Sequence, residues 1–315
     1  MRKRLGRAAA WLVTAGLLFL LFRKIPFATV VAATRAAAPW TIPACIAGVA
    51  GIYLADSFAI WKTFGWFLAP LSFAQVAVVR GATYLLAAVN YNVGQGAIVY
   101  FVHRATGVPV LRGVATVLLI MGVNVLALLA LATVGLGVAP DVPHAVKVVV
   151  AVAYAGLALY ALVVAVKPRW LATRPIFDVL LSAGLPGHAR ALLVRLPHIA
   201  VLMTFQTAML HAFGVAVPVG QAIVALPIVF FIAVLPISVQ GLGTTQAAMV
   251  FFFARYAAGD AEHQKAAVLA ASLVAQAMAT ILQVALGLAC LRSGTGRQLQ
   301  TAAADAKAPA SAAPI

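Results

Sequence analysis

Gly113-Val-Ala-Thr-Val-Leu-Leu-Ile-Met-Gly-Val-Asn-Val-Leu-Ala-Leu-Leu-Ala-Leu-Ala-Thr-Val-Gly-Leu-Gly-Val138 contains no charge, and Asn124 is its one strongly polar residue. A membrane-crossing helix needs about 20 apolar residues, so this stretch alone is long enough. Its Ala, Leu and Val do not alternate with polar residues, which excludes the short strands of an outer-membrane barrel. Apolar runs fall at about 8–22, 39–61, 73–93, 109–138, 145–166, 197–217, 220–239 and 265–291. The chain of 315 residues is 64% hydrophobic and 9% charged, with a mean hydropathy of +1.06. Soluble domains carry about 25% charge, so too few polar side chains exist here to cover a globule. A water-soluble enzyme is excluded. The expected fold is all-α, a polytopic helical membrane protein.

The charge balance is 22 Lys+Arg against 6 Asp+Glu, a net +16. The basic residues sit between apolar runs, the positive-inside pattern that faces an anionic phospholipid surface; nucleic acid is not the expected partner. Cys45 and Cys290 lie inside apolar runs without metal-ligand spacing, so neither a zinc site nor a disulfide framework is expected. The first run follows Met1-Arg-Lys-Arg4 with no small-residue cleavage site after Phe22, and reads as an uncleaved anchor. Lys167 to Pro197 is basic, and its Trp170, Leu171, Ile176, Phe177, Leu180 and Leu181 suggest a helix lying on the membrane surface; an ordinary solvated loop is the other reading. A transmembrane domain over 1–292 and a disordered tail over 293–315 follow.

Counting bases decides between topologies. If all eight runs cross, 9 bases lie inside and 12 outside, leaving Arg80 within its run uncounted. If 73–106 and 220–257 enter and return to their own side, the count becomes 15 inside and 6 outside. The positive-inside rule prefers the second. The expectation is six full spans, two re-entrant helical hairpins and both termini in the cytoplasm.

The hairpins bend at Asn90-Tyr-Asn-Val-Gly-Gln-Gly96 and at Pro236-Ile-Ser-Val-Gln-Gly-Leu-Gly243. Gly94 to Gly241 and Gly96 to Gly243 share an offset of 147, and the flanking runs match under the same shift. This points to an inverted repeat with halves at about 39–138 and 197–291. Interrupted helices at matching positions of such halves mark a transporter's central site.

At these bends the sequence also resembles a known family. Ala233-Val-Leu-Pro-Ile-Ser-Val-Gln-Gly-Leu-Gly-Thr-Thr-Gln-Ala-Ala-Met249 looks like the Pro-x-Ser-x-x-Gly-x-Gly-x-x-Glu signature of the lysylphosphatidylglycerol synthase transmembrane (flippase-like) family. Trp61-Lys62, Ser72-Phe73, Asn90 to Gly96 and Arg104-Ala-Thr-Gly-Val108 resemble its first-half pattern. The similarity covers roughly residues 40–291 and implies lipid translocation. With about 24 residues after the last span, no soluble aminoacyl-transfer domain is expected. The chain departs from the pattern where the family's Glu aligns with Gln246. Gly96-Ala-Ile-Val-Tyr100 also lacks the Glu and Arg of the first-half motif, so any chemistry those groups carry is lost here.

Backbone that bends inside a membrane must be satisfied by protein or line a wet cavity. Asn90, Asn92, Gln95, Ser238, Gln240 and Thr244 either hydrogen-bond the freed backbone at Gly94, Gly96, Gly241 and Gly243 or hold a headgroup, and Gln246 can hydrogen-bond a headgroup. N–H groups at helix starts after Gly96 and Gly243 suit a phosphate. Asp56 and Arg80 are intramembrane charges, read either as a structural ion pair or with Arg80 on a headgroup phosphate. Polar stripes occur at Ser272, Gln276, Thr280 and Gln283, at Arg80, Thr83 and Asn90, and at Thr204, Thr207 and His211. Each is expected to turn inward as helix glue or as a headgroup track. Asn124 reads as interhelical glue. No catalytic, metal or cofactor motif is present. Two functions stay open: a flippase or transporter for a phospholipid, glycolipid or other amphiphilic lipid in the bacterial-type cytoplasmic membrane, and a non-transporting scaffold assisting a lipid-biosynthesis enzyme.

Overall fold

The computed structural model describes residues 26–87, 91–138, 144–234 and 241–293, together with positions 19 and 23. The expected anchor over 8–22 and the tail from 294 lie outside the described residues. The helices are α1 (Phe27–Arg35), α2 (Thr41–Phe67), α3 (Phe73–Ala87), α4 (Tyr91–Thr106), α5 (Val110–Val138), α6 (His144–Val166), α7 (Asp178–Ala212), α8 (Val219–Val234), α9 (Thr244–Phe253) and α10 (Ala261–Arg292). Four stretches, Thr41–Phe67, Val110–Val134, Pro175–Ala212 and Ala261–Arg292, are long and apolar enough to cross a membrane. Phe73–Ala87, Val150–Val166 and Val219–Ala233 are shorter apolar helices. Large apolar side chains such as Val152, Leu159, Phe251 and Ile281 stand exposed on the surface, as suits helices solvated by lipid rather than water.

The contacts divide the chain into two units. The first takes in Met1–Ile52, Val125–Gly156 and Ile199–Ile281, and the second Tyr53–Asn124, Leu157–His198 and Leu282–Ile315.

In the second unit, Trp61 Nε1 donates to the Leu71 carbonyl at 2.9 Å, fixing the corner between α2 and α3. Helices α3 and α4, of 15 and 16 residues, pack against each other. Val76 and Val79 of α3 share a buried cluster with Ile98, Val99 and Val102 of α4. At the other end of the pair Gly94 sits on Ala87, so the chain doubles back. At 1.5 Å per residue each arm is about 24 Å long, shorter than the hydrocarbon thickness of about 30 Å. Gly81 of α3 lies against Cys290 of α10, and Gly287 against the Gly81 carbonyl, so these helices approach backbone to backbone.

The basic segment corrects the sequence reading. Instead of one surface helix, Arg169–Ala172 makes a single turn, Pro175–Phe177 a 3-10 turn, and α7 starts at Asp178. Pro168 and Pro175 cannot continue a helix with the residues before them, while Asp178 is an acid in the first turn, where the helix dipole favours it. Val179, Leu180 and Leu181 are buried against Ala115, Leu119 and Val123 of α5. Gly184 takes φ 60° and ψ −178°, so α7 runs as two helical arms that meet at a kink there, a conformation open to glycine. The His188 ring meets the Gly184 carbonyl through Nδ1 at 2.7 Å and the Tyr160 hydroxyl through Nε2 at 2.6 Å.

In the first unit, Gly48 lies against the Phe205 ring, where a Cβ would collide. The Ala38 N–H donates to the Ala212 carbonyl at 2.8 Å. Helices α8 and α9 form a second short packed pair. Asp260 caps α10: its Oδ1 accepts the backbone N–H groups of His263 at 2.9 Å and Glu262 at 3.1 Å. These bonds favour the ionised form, and that from the His263 N–H leads in holding the exposed Asp260 carboxyl below its ordinary value.

Candidate functional site

The sequence singled out two places, the glycine bends and the Asp56–Arg80 pair. Only the second holds buried charge.

Asp56, in the middle of α2, is 1% exposed. Arg80 of α3 donates through Nε to its Oδ2, and Arg195 of α7 donates through Nη1 to its Oδ1. Arg195 Nε also donates to Asn124 Oδ1 on α5 at 3.0 Å. His198, one helical turn beyond Arg195, has Nδ1 4.0 Å from Asp56 Oδ1. The Arg80 guanidinium lies over the Tyr84 ring, 4.7 Å from its centroid, within cation–π range. Thr83 does not reach the carboxylate; its hydroxyl donates to the Arg80 carbonyl at 2.8 Å. All these residues belong to the second unit. The expected Asp56–Arg80 contact is present, and Asn124 does join two helices.

Arg195 is the residue that sequence reasoning misplaced. The sequence places it in the basic segment read as a surface helix or a solvated loop, but the structure buries it to 9% exposure on a carboxylate 139 residues away. A signal was available: extending the apolar run at 197–217 back by one helical turn puts Arg195 and His198, three positions apart, on one face. Pro197, between them, lacks an N–H and removes one backbone bond from α7 beside the charges.

The first bend is not where the glycines are. Helix α4 already begins at Tyr91, so Gly94 and Gly96 are helical, and no helix starts after Gly96. Asn90 lies outside the described residues, and Asn92 falls in the first turn of α4. Gly94 is buried, and a Cβ there would stand 2.6 Å from the Ala87 Cβ; Gly96 has open space around it, and Gln95 is half-buried. Close packing, rather than a turn, accounts for Gly94.

The second bend follows the sequence more closely. Gly241 and Gly243 take φ 72° and 84°, in the left-handed region, and α9 starts at Thr244. Ser238 and Gln240 lie outside the described residues. Gln246, fully buried, reaches back so that its Oε1 accepts the Gly243 N–H at 2.7 Å, half of a capping box. Its Nε2 donates to Gln276 Oε1 of α10 at 2.7 Å. Thr244 Oγ1 donates to the Gly241 carbonyl at 2.9 Å. The Gly243 N–H is therefore taken by the protein's own amide, while the N–H groups expected to face a phosphate are those that follow it in the first turn of α9.

The other stripes behave as helix residues. Ser272 and Thr280 bond to carbonyls of their own helix, and Gln283 is half-buried. Thr204 and His211 are exposed and Thr207 half-buried, so that stripe does not turn inward as expected. No protein-family model matches this chain, and no curated protein matches it either.

Proposed function

We propose that the protein is a lipid transporter of the cytoplasmic membrane, of the flippase-like kind its bends resemble, moving a phospholipid, glycolipid or other amphiphilic lipid. The observation that carries this reading is the buried Asp56–Arg80–Arg195 group. Ionisable side chains among apolar helices are costly, and they are retained chiefly where ions, protons or headgroups pass. A chain that only needed glue between these helices could use neutral amides.

The topology proposed with it has six full spans, two re-entrant pairs in an inverted repeat, and both termini cytoplasmic. Its support is the count of bases, 15 inside against 6 outside in that arrangement, together with the two short packed pairs α3–α4 and α8–α9.

The test is lipid movement in vesicles reconstituted with the purified protein and fluorescent phospho- and glycolipids. Wild-type protein accelerates exchange of at least one lipid, and Arg195→Gln slows it while remaining folded. Exchange no faster than in empty vesicles for every lipid class sinks the reading. The scaffold reading is favoured by one observation, the closed Gly243–Gln246–Gln276 chain at the second bend. It predicts no lipid movement, together with co-purification of a lipid-biosynthesis enzyme.

A further inference from the structure

We infer that the Asp56–Arg80–Arg195 group binds a singly charged phosphate, that of an anionic lipid headgroup, with Arg195 as the principal ligand. The inference deepens the transport reading and rests on it only for the lipid origin of the phosphate.

One carboxylate serves two guanidiniums, and arginine does not release its proton. The other acid described in this unit, Asp178, stands exposed at the start of α7 and joins no ion pair among the described residues. It does not balance the group. His198, the remaining titratable side chain against Asp56, adds charge of the same sign when it is protonated. In surroundings of low dielectric an uncompensated cation is heavily penalised. A monoanion brings the group to neutrality, a dianion overshoots, a zwitterion leaves the surplus, and a cationic headgroup is repelled.

Accessibility points the same way. The Asp56 side chain is 2% accessible, whereas those of Arg80 and Arg195 are 12% and 11% accessible. An arriving ligand meets guanidinium, not carboxylate. Asn124 and Asp56 hold Arg195 through Nε and Nη1, so the planar fork is oriented before the ligand comes. Its Nη2 lies outside both bonds, and a pre-set guanidinium suits phosphate oxygens. The second bend is a poorer candidate, because its described residues 241–246 carry no charge to match that of a phosphate.

The experiment is a thermal-unfolding titration of the full chain in neutral detergent. The probes are dihexanoylphosphatidylglycerol, a phosphodiester with one negative charge, dihexanoylphosphatidylcholine, a zwitterion, and inorganic phosphate. The glycerol lipid should raise the unfolding temperature with saturation, and the choline lipid should not. Arg195→Gln should weaken the glycerol lipid about tenfold or more, the loss of a charge-assisted bond. Arg195→Lys should fall between. Without lipid, Arg195→Gln should be no less stable than wild type, since Asp56 keeps Arg80. Equal stabilisation by both lipids overturns the inference, and that comparison needs no variant. A response to inorganic phosphate as strong as to the glycerol lipid overturns the lipid assignment. Vesicles that move both lipids without preference also overturn the inference while leaving transport standing; charge-selective binding without any movement overturns transport instead.

Discussion

Two buried polar groups, Asp56–Arg80–Arg195 and Gly243–Gln246–Gln276, join helices in different ways. The second is neutral and closed. Gln246 offers one acceptor and one donor group; the Gly243 N–H takes the first and Gln276 receives the second. The first is charged and unbalanced, with two cations on one anion. A closed neutral network fixes a backbone that would otherwise be left unsatisfied. An unbalanced one stores an affinity for a counter-ion. The unbalanced charge lies not at the glycine motif but on three side chains scattered over the sequence.

The largest effect should come from removing the anion. Asp56→Asn leaves two buried guanidiniums facing each other, and breaking such a pair costs about 3–5 kcal/mol. Folded yield and thermal unfolding should both fall, and adding Arg80→Gln should restore most of the loss. Wild-type stability in the single variant would show that the two groups do not differ in kind.

At the second bend, Gly243→Val forces a β-branched residue to φ 84°, at a cost of about 1–3 kcal/mol. Thermal unfolding reads it. An unchanged midpoint would mean that the left-handed turn is not needed there.

Gln246→Leu should come next, since it removes the acceptor of the Gly243 N–H and the donor to the Gln276 oxygen, about 1–3 kcal/mol. Gln246→Glu should be milder, because the carboxylate still accepts the Gly243 N–H and the Gln276 amide can turn to donate. Equal losses in the two variants would break the account of a hydrogen-bonded closure.

The smallest pair of effects has opposite signs. Gly94→Ala places a Cβ 2.6 Å from Ala87 and should destabilise by about 1–3 kcal/mol through overpacking. Gly96→Ala meets nothing within 4 Å and should stabilise α4 by about 0.5–1 kcal/mol. The same sign for both would undo the assignment of these glycines to helix packing.

The sequence determined that the chain is helical and apolar, because runs such as Gly113–Val138 leave no amphipathic pattern for strands or a water-facing surface. It also located the second bend, since Gly241 and Gly243 interrupt an apolar run where polar neighbours can satisfy the backbone. The matching Gly94 and Gly96 misled. Glycine serves both positive φ and close packing, and the pattern does not say which. The Asp56–Arg80 pairing was legible because two opposite charges stood alone in neighbouring runs. Arg195 was not, because its partner lies 139 residues away and its own neighbours form a basic segment. Local periodicity decides whether a stretch is a helix and which residues share a face. Which face meets which depends on how the helices pack. Only the tertiary structure brings a second guanidinium, held by Asn124, and His198 to one carboxylate, and so creates a surplus charge in the buried group.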